Sequence, residues 1–160
     1  MRKSIGGFTI VELLIVVIVI AILAAISLVA FSGLTDRANY AKAQSDLKTL
    51  NNLVQQYYAV YSSYPTTNGS WSYQSNQGNN FIPGLVPEFA DNLPKDKINT
   101  SQYSYIYFSN GVNYKLLRHT LPEASGGTGL PSIERSNNPL YDAPRPTWAW
   151  GYWSAGAVNW

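Results

Sequence analysis

Glu12 is the residue whose surroundings pose the clearest chemical question. Its carboxylate interrupts an apolar run that covers residues 8–34, and residues 13–26 contain no polar side chain. An acidic side chain within a membrane-spanning helix costs about 2–3 kcal/mol on insertion scales. Glu12 therefore either pairs with a cation inside an apolar environment, or lies near enough to the membrane interface to reach water or bind a proton.

Enzyme chemistry has little support elsewhere in the chain. His119 is the only histidine and there is no cysteine, which excludes a Cys–His pair and a zinc site built on several histidines. A Ser–His–Asp arrangement around His119 lacks a nucleophile motif, and no glycine-rich phosphate-binding loop occurs. The sequence predicts a protein that is not an enzyme.

The charge balance is close to neutral. Arg2 and Lys3 belong to a basic N-terminal stretch, MRKSIGG. The chain without this stretch has nine basic and nine acidic side chains. Such a balance offers no basic surface for nucleic acid, so no direct nucleic-acid binding is expected. Because cysteine is absent, no disulfide can stabilise the chain.

The apolar run is long enough to cross a membrane. As a helix at about 1.5 Å per residue it covers roughly 36 Å, against a hydrocarbon core of roughly 30 Å. An ordinary cleaved secretory signal has an apolar core of only about 7–15 residues. Arg2 and Lys3 favour a cytoplasmic N-terminus. We therefore expect a single-pass protein of the cytoplasmic membrane, with the globular head that follows the helix on the outer side.

A helical pattern continues beyond the apolar run. Residues 35–64 carry an apolar stripe at intervals of three and four, and no proline occurs before Pro65. The stripe consists of Tyr40, Ala43, Leu47, Leu50, Val54, Tyr57 and Tyr61. We predict one helix over residues 8–62, with Ser32 and Gly33 as its only soft point. The stripe packs on the protein's own sheet, on neighbouring subunits, or on both.

The stretch after the helix predicts a loop. Residues 65–102 begin with a polar, glycine-rich segment and continue into a proline-rich one. Trp71, Tyr73 and Phe81 stand out in this composition. They either pin the loop to the head or form a ligand or adhesion surface.

The remaining residues, 103–160, predict a small antiparallel head. Residues 103–108 and 112–117 read as strands on either side of a Ser-Asn-Gly turn, which indicates a hairpin. Residues 121–146 are rich in glycine and proline and are expected to be mostly loop.

The C-terminal stretch TWAWGYWSAGAVNW is rich in aromatic residues. In a strand, Trp148, Trp150 and Tyr152 would lie on one face because side chains alternate. Aromatic side chains bury large areas, so we predict that the stretch docks on the head as a clamp in place of a disulfide. An exposed platform for glycans or for another cell is the alternative.

The N-terminal residues also carry a specific motif. A basic leader is followed by Gly7, Phe8 and, at the fifth position after Gly7, Glu12, before an unbroken apolar helix. This arrangement resembles the class III signal of type IV pilins and of the pseudopilins of type II secretion. The resemblance implies cleavage after Gly7 by a prepilin peptidase, N-methylation of Phe8, and a requirement for Glu12 in assembly. The Phe8 amine of one subunit would neutralise Glu12 of a neighbour.

The resemblance also implies a fold. That fold is α+β and type IV pilin-like, with one long N-terminal helix packed on a small antiparallel sheet. The expected layout is a cleaved leader over 1–7, a membrane-spanning helix over 8–34, an amphipathic helix over 35–64, an αβ-loop with its lead-in over 65–102, and a β head over 103–160.

The implied function is that of a structural subunit that polymerises into a type IV pilus or a type II secretion pseudopilus. Implied partners are copies of itself or other pilins, a prepilin peptidase and methyltransferase, an inner-membrane platform protein and an assembly ATPase. After assembly the subunit would lie in an extracellular or cell-surface filament. The alternative function is a membrane-tethered or filament-tip adhesin that uses its aromatic head.

The chain departs from the family pattern in two places. The family's frequent C-terminal disulfide cannot form without cysteine, and Val29 stands where many relatives have a proline, so no kink is expected there. No cofactor is expected. Because major pseudopilins often bind calcium in the head, Asp91 or Asp96 could serve as ligands, although the acidic residues lack the dense spacing of a calcium loop.

Overall fold

The structure is a computed structural model that describes residues 9–120, 140–142, 144–145 and 148–160, without the side chains of residues 28–33. The chain divides into two compact units, residues 1–37 and 38–160. The regular structure of these described residues consists of one long helix, a four-stranded antiparallel sheet and three short 3₁₀ helices. The predicted α+β, pilin-like fold is therefore confirmed.

Helix α1 covers Ile10–Tyr61, a length of 52 residues. No proline falls within it, and the helix assignment includes Ser32 and Gly33, where the sequence predicted a soft point. The helix ends where Ser62 adopts a left-handed φ of +54° and donates its N–H to the Tyr58 carbonyl. One long helix was predicted, and one is found.

The stretch of α1 that belongs to the second unit buries one side of its surface. The buried positions are Tyr40, Ala43, Leu47, Leu50 and Val54. Tyr57 is half-buried, whereas Tyr61 is exposed and donates its hydroxyl to the Glu88 carboxylate at 2.7 Å. The predicted stripe is thus confirmed as far as Tyr57 and is wrong at Tyr61, because the last turn has a polar partner instead of a core.

Four strands follow one another along the sheet in chain order. They are β1 (Tyr73–Gln74), β2 (Tyr103–Ser109), β3 (Tyr114–Thr120) and β4 (Ala149–Trp153), and all neighbouring pairs are antiparallel. The predicted hairpin is confirmed as β2–β3, with Ser109 opposite Tyr114. Gly111 in the connecting turn has a φ of +87°, a conformation that glycine adopts without steric cost.

The aromatic residues of the predicted loop do pin it to the head. Tyr73 lies in β1 opposite Tyr107, so the loop contains a short strand that the sequence did not indicate. Phe81 is buried in the core, and Trp71 stacks on Phe108 with ring centres 4.4 Å apart. The pinning interpretation is therefore confirmed for all three residues.

Both faces of the sheet are covered. Tyr105, Tyr107, Tyr114, Leu116 and Trp150 join the buried stripe of α1 in one core. Ile106, Leu117 and Ala149 form a second cluster on the opposite face, against which Trp71, Trp148 and Trp153 pack.

This two-sided packing corrects the prediction that Trp148, Trp150 and Tyr152 share a face. Trp150 and Tyr152 belong to the core that includes α1, whereas Trp148 packs in the second cluster. The alternation rule fails for Trp148 because β4 begins only at Ala149, so Trp148 lies outside the regular pleat.

Candidate functional site

The first turn of α1 binds the carboxylate of Glu12. Thr9 immediately precedes the helix, and Glu12 is its third residue. Glu12 Oε2 accepts the backbone N–H of Thr9 at 2.8 Å and its hydroxyl at 2.7 Å. In return the Glu12 N–H donates to Thr9 Oγ1 at 3.2 Å. This reciprocal arrangement is a capping box, which satisfies N–H groups that would otherwise lack partners at a helix start.

The capping role of Thr9 was not predicted from the sequence. Its signal was present, because Thr-x-x-Glu directly before an apolar run is the sequence signature of a capping box. The spacing of three residues places both groups within the same turn. Glu12 therefore has a partner within its own chain before any neighbour is considered.

An exposed apolar surface follows Glu12. Ile10–Ser27 is long and apolar enough to cross a membrane, with a mean hydropathy of 3.1. Among its large apolar side chains, the exposed fraction ranges from 48% at Val19 to 87% at Ile10. Within the described part of the chain nothing covers these side chains, and a surface of this kind is typical of contact with lipid or with other proteins.

Of the three residues that the motif singled out, the structure places only Glu12. Gly7 and Phe8 lie outside the described residues. Cleavage, methylation and the intersubunit partner of Glu12 therefore stay predictions. The geometry that bears on them is the capping box and the apolar surface just after it.

A buried charge cluster holds the C-terminal stretch to the head. Lys115 Nζ donates to Asp142 Oδ1 at 2.7 Å, to the Trp160 carbonyl at 3.0 Å and to the Val158 carbonyl at 3.2 Å. Arg145 Nη1 donates at 2.7 Å to both Asp142 Oδ2 and the Trp160 carbonyl. Burial lowers the pKa of Lys115, and the hydrogen bond to Asp142 opposes that shift.

The predicted clamp is therefore confirmed, although its composition differs from the prediction. Aromatic packing does contribute, since Trp160 meets Phe108 edge-on with ring centres 4.8 Å apart. The ionic part was missed because Lys115 and Asp142 lie on separate elements, and no local spacing signals their pairing.

A second buried ion pair engages one of the acids named as a calcium ligand. Arg118 Nε donates to Asp96 Oδ2 at 2.6 Å, and the Ile98 N–H donates to Asp96 Oδ1 at 2.9 Å. Asp91 is exposed. Within the described part of the chain, no three metal-ligating side chains come together. Calcium binding in the head stays a prediction.

Comparisons with known proteins place these features in a family. Residues 2–28 match the family model described as the prokaryotic N-terminal methylation motif. Residues 31–135, well over half of the chain, match the model described as type II secretion system protein G. The chain belongs to the type II secretion system protein G family. Members of this family are structural pseudopilin subunits and not enzymes.

Relatives within the protein G family vary in how much of them aligns. A type II secretion system core protein G from Vibrio cholerae is 32% identical over 135 residues, which cover 81% of this chain and 90% of that protein. For the core protein G of Klebsiella michiganensis, identity is 35% over 41% of this chain and 46% of the relative. The core protein G of Escherichia coli K12 is 36% identical over a region that covers 39% of this chain and 43% of that protein.

The regions that align with the chain thus cover less than half the length of these last two relatives. No solved structure matches the chain significantly. Together, the protein G family and the apolar helix α1 indicate anchoring in the inner membrane. The family narrows the expected function from pilins in general to a type II secretion pseudopilin.

Proposed function

We propose that this chain is a prepilin-like subunit that is cleaved after Gly7, methylated on the Phe8 amine and polymerised through its N-terminal helix into a type II secretion pseudopilus. The observation that carries the proposal is the uncovered apolar surface of Ile10–Ser27 next to the single carboxylate of Glu12. A helix with such a surface is stable in lipid and equally stable in a bundle of identical helices. Transfer between the two environments therefore costs little free energy.

Glu12 sets the axial position of each subunit relative to its neighbour in the bundle. Cleavage after Gly7 creates a cationic amine at Phe8, and a neighbouring subunit shifted along the bundle axis can bring that amine to Glu12. In the bundle, an unpaired carboxylate would be strongly disfavoured, so the pair forms at one axial offset only. The capping box gives Glu12 an interim partner, because Thr9 accommodates the carboxylate until the neighbouring amine arrives.

The partners follow from this sequence of events. A prepilin peptidase and methyltransferase act on residues 7 and 8 at the cytoplasmic face. A platform protein and an assembly ATPase then move the subunit from the inner membrane into the pseudopilus, where it contacts copies of itself and other pseudopilins. The head lies on the outer side of the inner membrane throughout.

The adhesin alternative is not retained. Trp150, one of the residues considered for a binding platform, is only 1% exposed and packs in the core with Tyr40. Trp71 is stacked on Phe108 within the head.

Mass spectrometry of the membrane-extracted protein tests the processing step. We expect an N-terminus at Phe8 that carries one methyl group. Gly7→Leu should leave full-length precursor in the membrane, and Gly6→Leu, which moves the same bulk one residue from the scissile bond, is the matched control. Another N-terminus, or normal pseudopili from the Gly7→Leu strain, would show the proposal to be wrong.

A further inference from the structure

The chain contains two Asn-Gly dipeptides, Asn68-Gly69 and Asn110-Gly111, and both lie in turns of the head. Asparagine before glycine is particularly prone to deamidation, because glycine has no Cβ atom to obstruct attack of its backbone nitrogen on the preceding side chain. The covalent chemistry of the two pairs is the same. Any difference in their reactivity must therefore come from how the fold holds them.

Asn68 and Gly69 occupy the two central positions of an exposed turn between α1 and β1. Their φ angles are +51° and +75°, which is typical of a type I′ turn, and the Ser70 N–H donates to the Thr67 carbonyl at 3.1 Å across it. The Asn68 N–H donates to Thr66 Oγ1 at 3.1 Å. Within the part of the chain that the structure describes, neither the Asn68 side-chain amide nor the Gly69 N–H has a hydrogen-bond partner.

Asn110 is exposed as well, but its side chain is fixed in the turn between β2 and β3. Its Oδ1 accepts the N–H groups of Val112 at 3.0 Å and of Asn113 at 2.8 Å. The nitrogen that would attack it is also engaged, since the Gly111 N–H donates to Ser109 Oγ at 3.0 Å. The two asparagines thus share exposure to solvent and differ in their hydrogen bonds.

We propose that Asn68 is a site of spontaneous deamidation and that Asn110 is protected from the same reaction. The Gly69 nitrogen loses its proton to water and bonds to Asn68 Cγ. The bond from Cγ to Nδ2 breaks, so that ammonia leaves and a succinimide ring remains. Water then adds to either ring carbonyl and reopens the ring, which leaves aspartate or isoaspartate at position 68. Water is the co-reactant, and no atom is oxidised or reduced.

The hydrogen bonds decide the relative rates. Ring closure requires the asparagine backbone to rotate out of the turn. At Asn68 this rotation gives up the one hydrogen bond that closes the turn. At Asn110 it must release the amide oxygen from two donors and the Gly111 nitrogen from its acceptor. With two more bonds to break at Asn110, we expect Asn68 to react about thirtyfold faster, which corresponds to about 2 kcal/mol of activation free energy.

The modification changes the charge of the head without reaching its core. Deamidation adds a carboxylate to an exposed turn, and isoaspartate also lengthens the backbone there. The residues on either side are anchored independently, because the Thr67 N–H donates to the Ser109 carbonyl at 3.0 Å and Trp71 stacks on Phe108. The altered segment is therefore confined to residues 68–70, and each subunit gains negative charge as it ages.

Timed incubation of the full chain in detergent micelles at mildly alkaline pH, followed by tryptic peptide mapping, tests the proposal. Trypsin places the two asparagines on different peptides, 49–95 and 98–115. Tandem mass spectrometry measures the aspartate and isoaspartate formed at each, and a sample digested without incubation corrects for deamidation during digestion. We expect the rate at Asn68 to exceed that at Asn110 by about thirtyfold. Equal rates, or a faster reaction at Asn110, would overturn the proposal.

The chain unfolded in guanidinium chloride is the matched control, because unfolding removes the hydrogen bonds at both sites and leaves the dipeptides unchanged. We expect the two rates to converge, mainly through acceleration at Asn110. A ratio that persists in the unfolded chain would show that the neighbouring sequence and not the fold sets the difference, and would overturn the proposed protection.

A variant locates the protection. Ser109→Ala removes the acceptor of the Gly111 N–H, so it should raise the rate at Asn110 about fivefold and leave the rate at Asn68 unchanged. An unchanged rate at Asn110 in the folded variant would contradict the assigned role of this bond. If the variant does not fold, the comparison of folded with unfolded wild type still decides. None of these measurements involves Gly7 or Glu12, so their failure leaves the proposed pseudopilus function untouched.

Discussion

Thr9 and Glu12 hold each other at the start of α1 through three hydrogen bonds, two of them to the same carboxylate oxygen. This pairing keeps the one charged side chain of the apolar segment close to the helix terminus. Two of the three bonds use the Thr9 hydroxyl, so its removal should weaken the first helical turn. Both consequences can be measured.

Thr9→Val removes the hydroxyl and keeps the shape of the side chain. Loss of an N-cap costs about 1 kcal/mol, so amide hydrogens of the first turn should exchange about fivefold faster in micelles. Thr9→Ser keeps the hydroxyl and serves as the control. Unchanged exchange in Thr9→Val would mean that the capping box does not stabilise this turn.

Glu12→Leu should separate processing from assembly. The leader lies outside the altered turn, so cleavage after Gly7 should proceed. Without the carboxylate, the Phe8 amine of a neighbour has no partner in the bundle, and we expect at least a tenfold loss of pseudopili, equivalent to about 1.4 kcal/mol per subunit contact. Glu12→Asp, which keeps the charge, should lose less. An immunoblot of sheared pseudopili measures their yield. A normal yield from Glu12→Leu would contradict the proposal that Glu12 sets the axial register of the subunits.

Lys115→Met should destabilise the head strongly. The substitution removes the buried donor to the Val158 carbonyl and breaks the pair with Asp142. The Trp160 carbonyl and Asp142 each keep only their hydrogen bond from Arg145. Breaking a buried ion pair from one side costs about 3–5 kcal/mol. Lys97→Met, at an exposed position, should change stability by less than about 0.5 kcal/mol.

Urea unfolding followed by tryptophan fluorescence measures both lysine variants, because all five tryptophans belong to residues 71–160. Equal midpoints for Lys115→Met and wild type would contradict the importance of the cluster.

Alkaline pH should destabilise the head through buried tyrosines. Burial raises the pKa of Tyr114 to about 12, against about 10 in an unfolded chain. Between these values the unfolded state releases its proton first, so the free energy of unfolding falls as pH rises. Burial raises the pKa values of Tyr105 and Tyr107 as well.

Tyr114→Phe tests the contribution of one tyrosine. The variant loses hydrogen bonds to Asn51 and Gln55 and should be less stable at every pH. Above pH 10 its stability should fall less steeply, by up to about 1.4 kcal/mol per pH unit, because one group fewer titrates. Urea unfolding from pH 8 to pH 11 measures the slope, and parallel curves for the two proteins would contradict the assignment.

Gly151→Ala should disrupt the contact between β3 and β4. A Cβ atom at Gly151 would lie 2.0 Å from the Leu116 carbonyl oxygen and 2.9 Å from the Leu117 Cα, so the strands must move apart. We expect a loss of about 3 kcal/mol. Gly111→Ala, in a turn with open space and a φ of +87°, should cost only about 1–2 kcal/mol. Similar losses for the two variants would show that strand contact is not the cause.

Local patterns allowed the sequence to predict the main elements. The long helix, its buried stripe and the β2–β3 hairpin follow from periodicities of 3.6 and 2 residues, which short-range geometry imposes. The motif around Gly7, Phe8 and Glu12 indicated the family for the same reason, since all its parts lie within a few residues. Thr9 could have been included, because its capping signal is equally local.

The sequence by itself determined that a helix long and apolar enough to span a membrane precedes a small β head. Only the tertiary structure decided how the head is held together. The pairing of Lys115 with Asp142, the engagement of Asp96 by Arg118, and the separation of Trp148 from Trp150 all depend on strand register and on where β4 begins. Contacts between distant parts of the chain leave no periodic signal, because they arise only when the sheet brings those parts together.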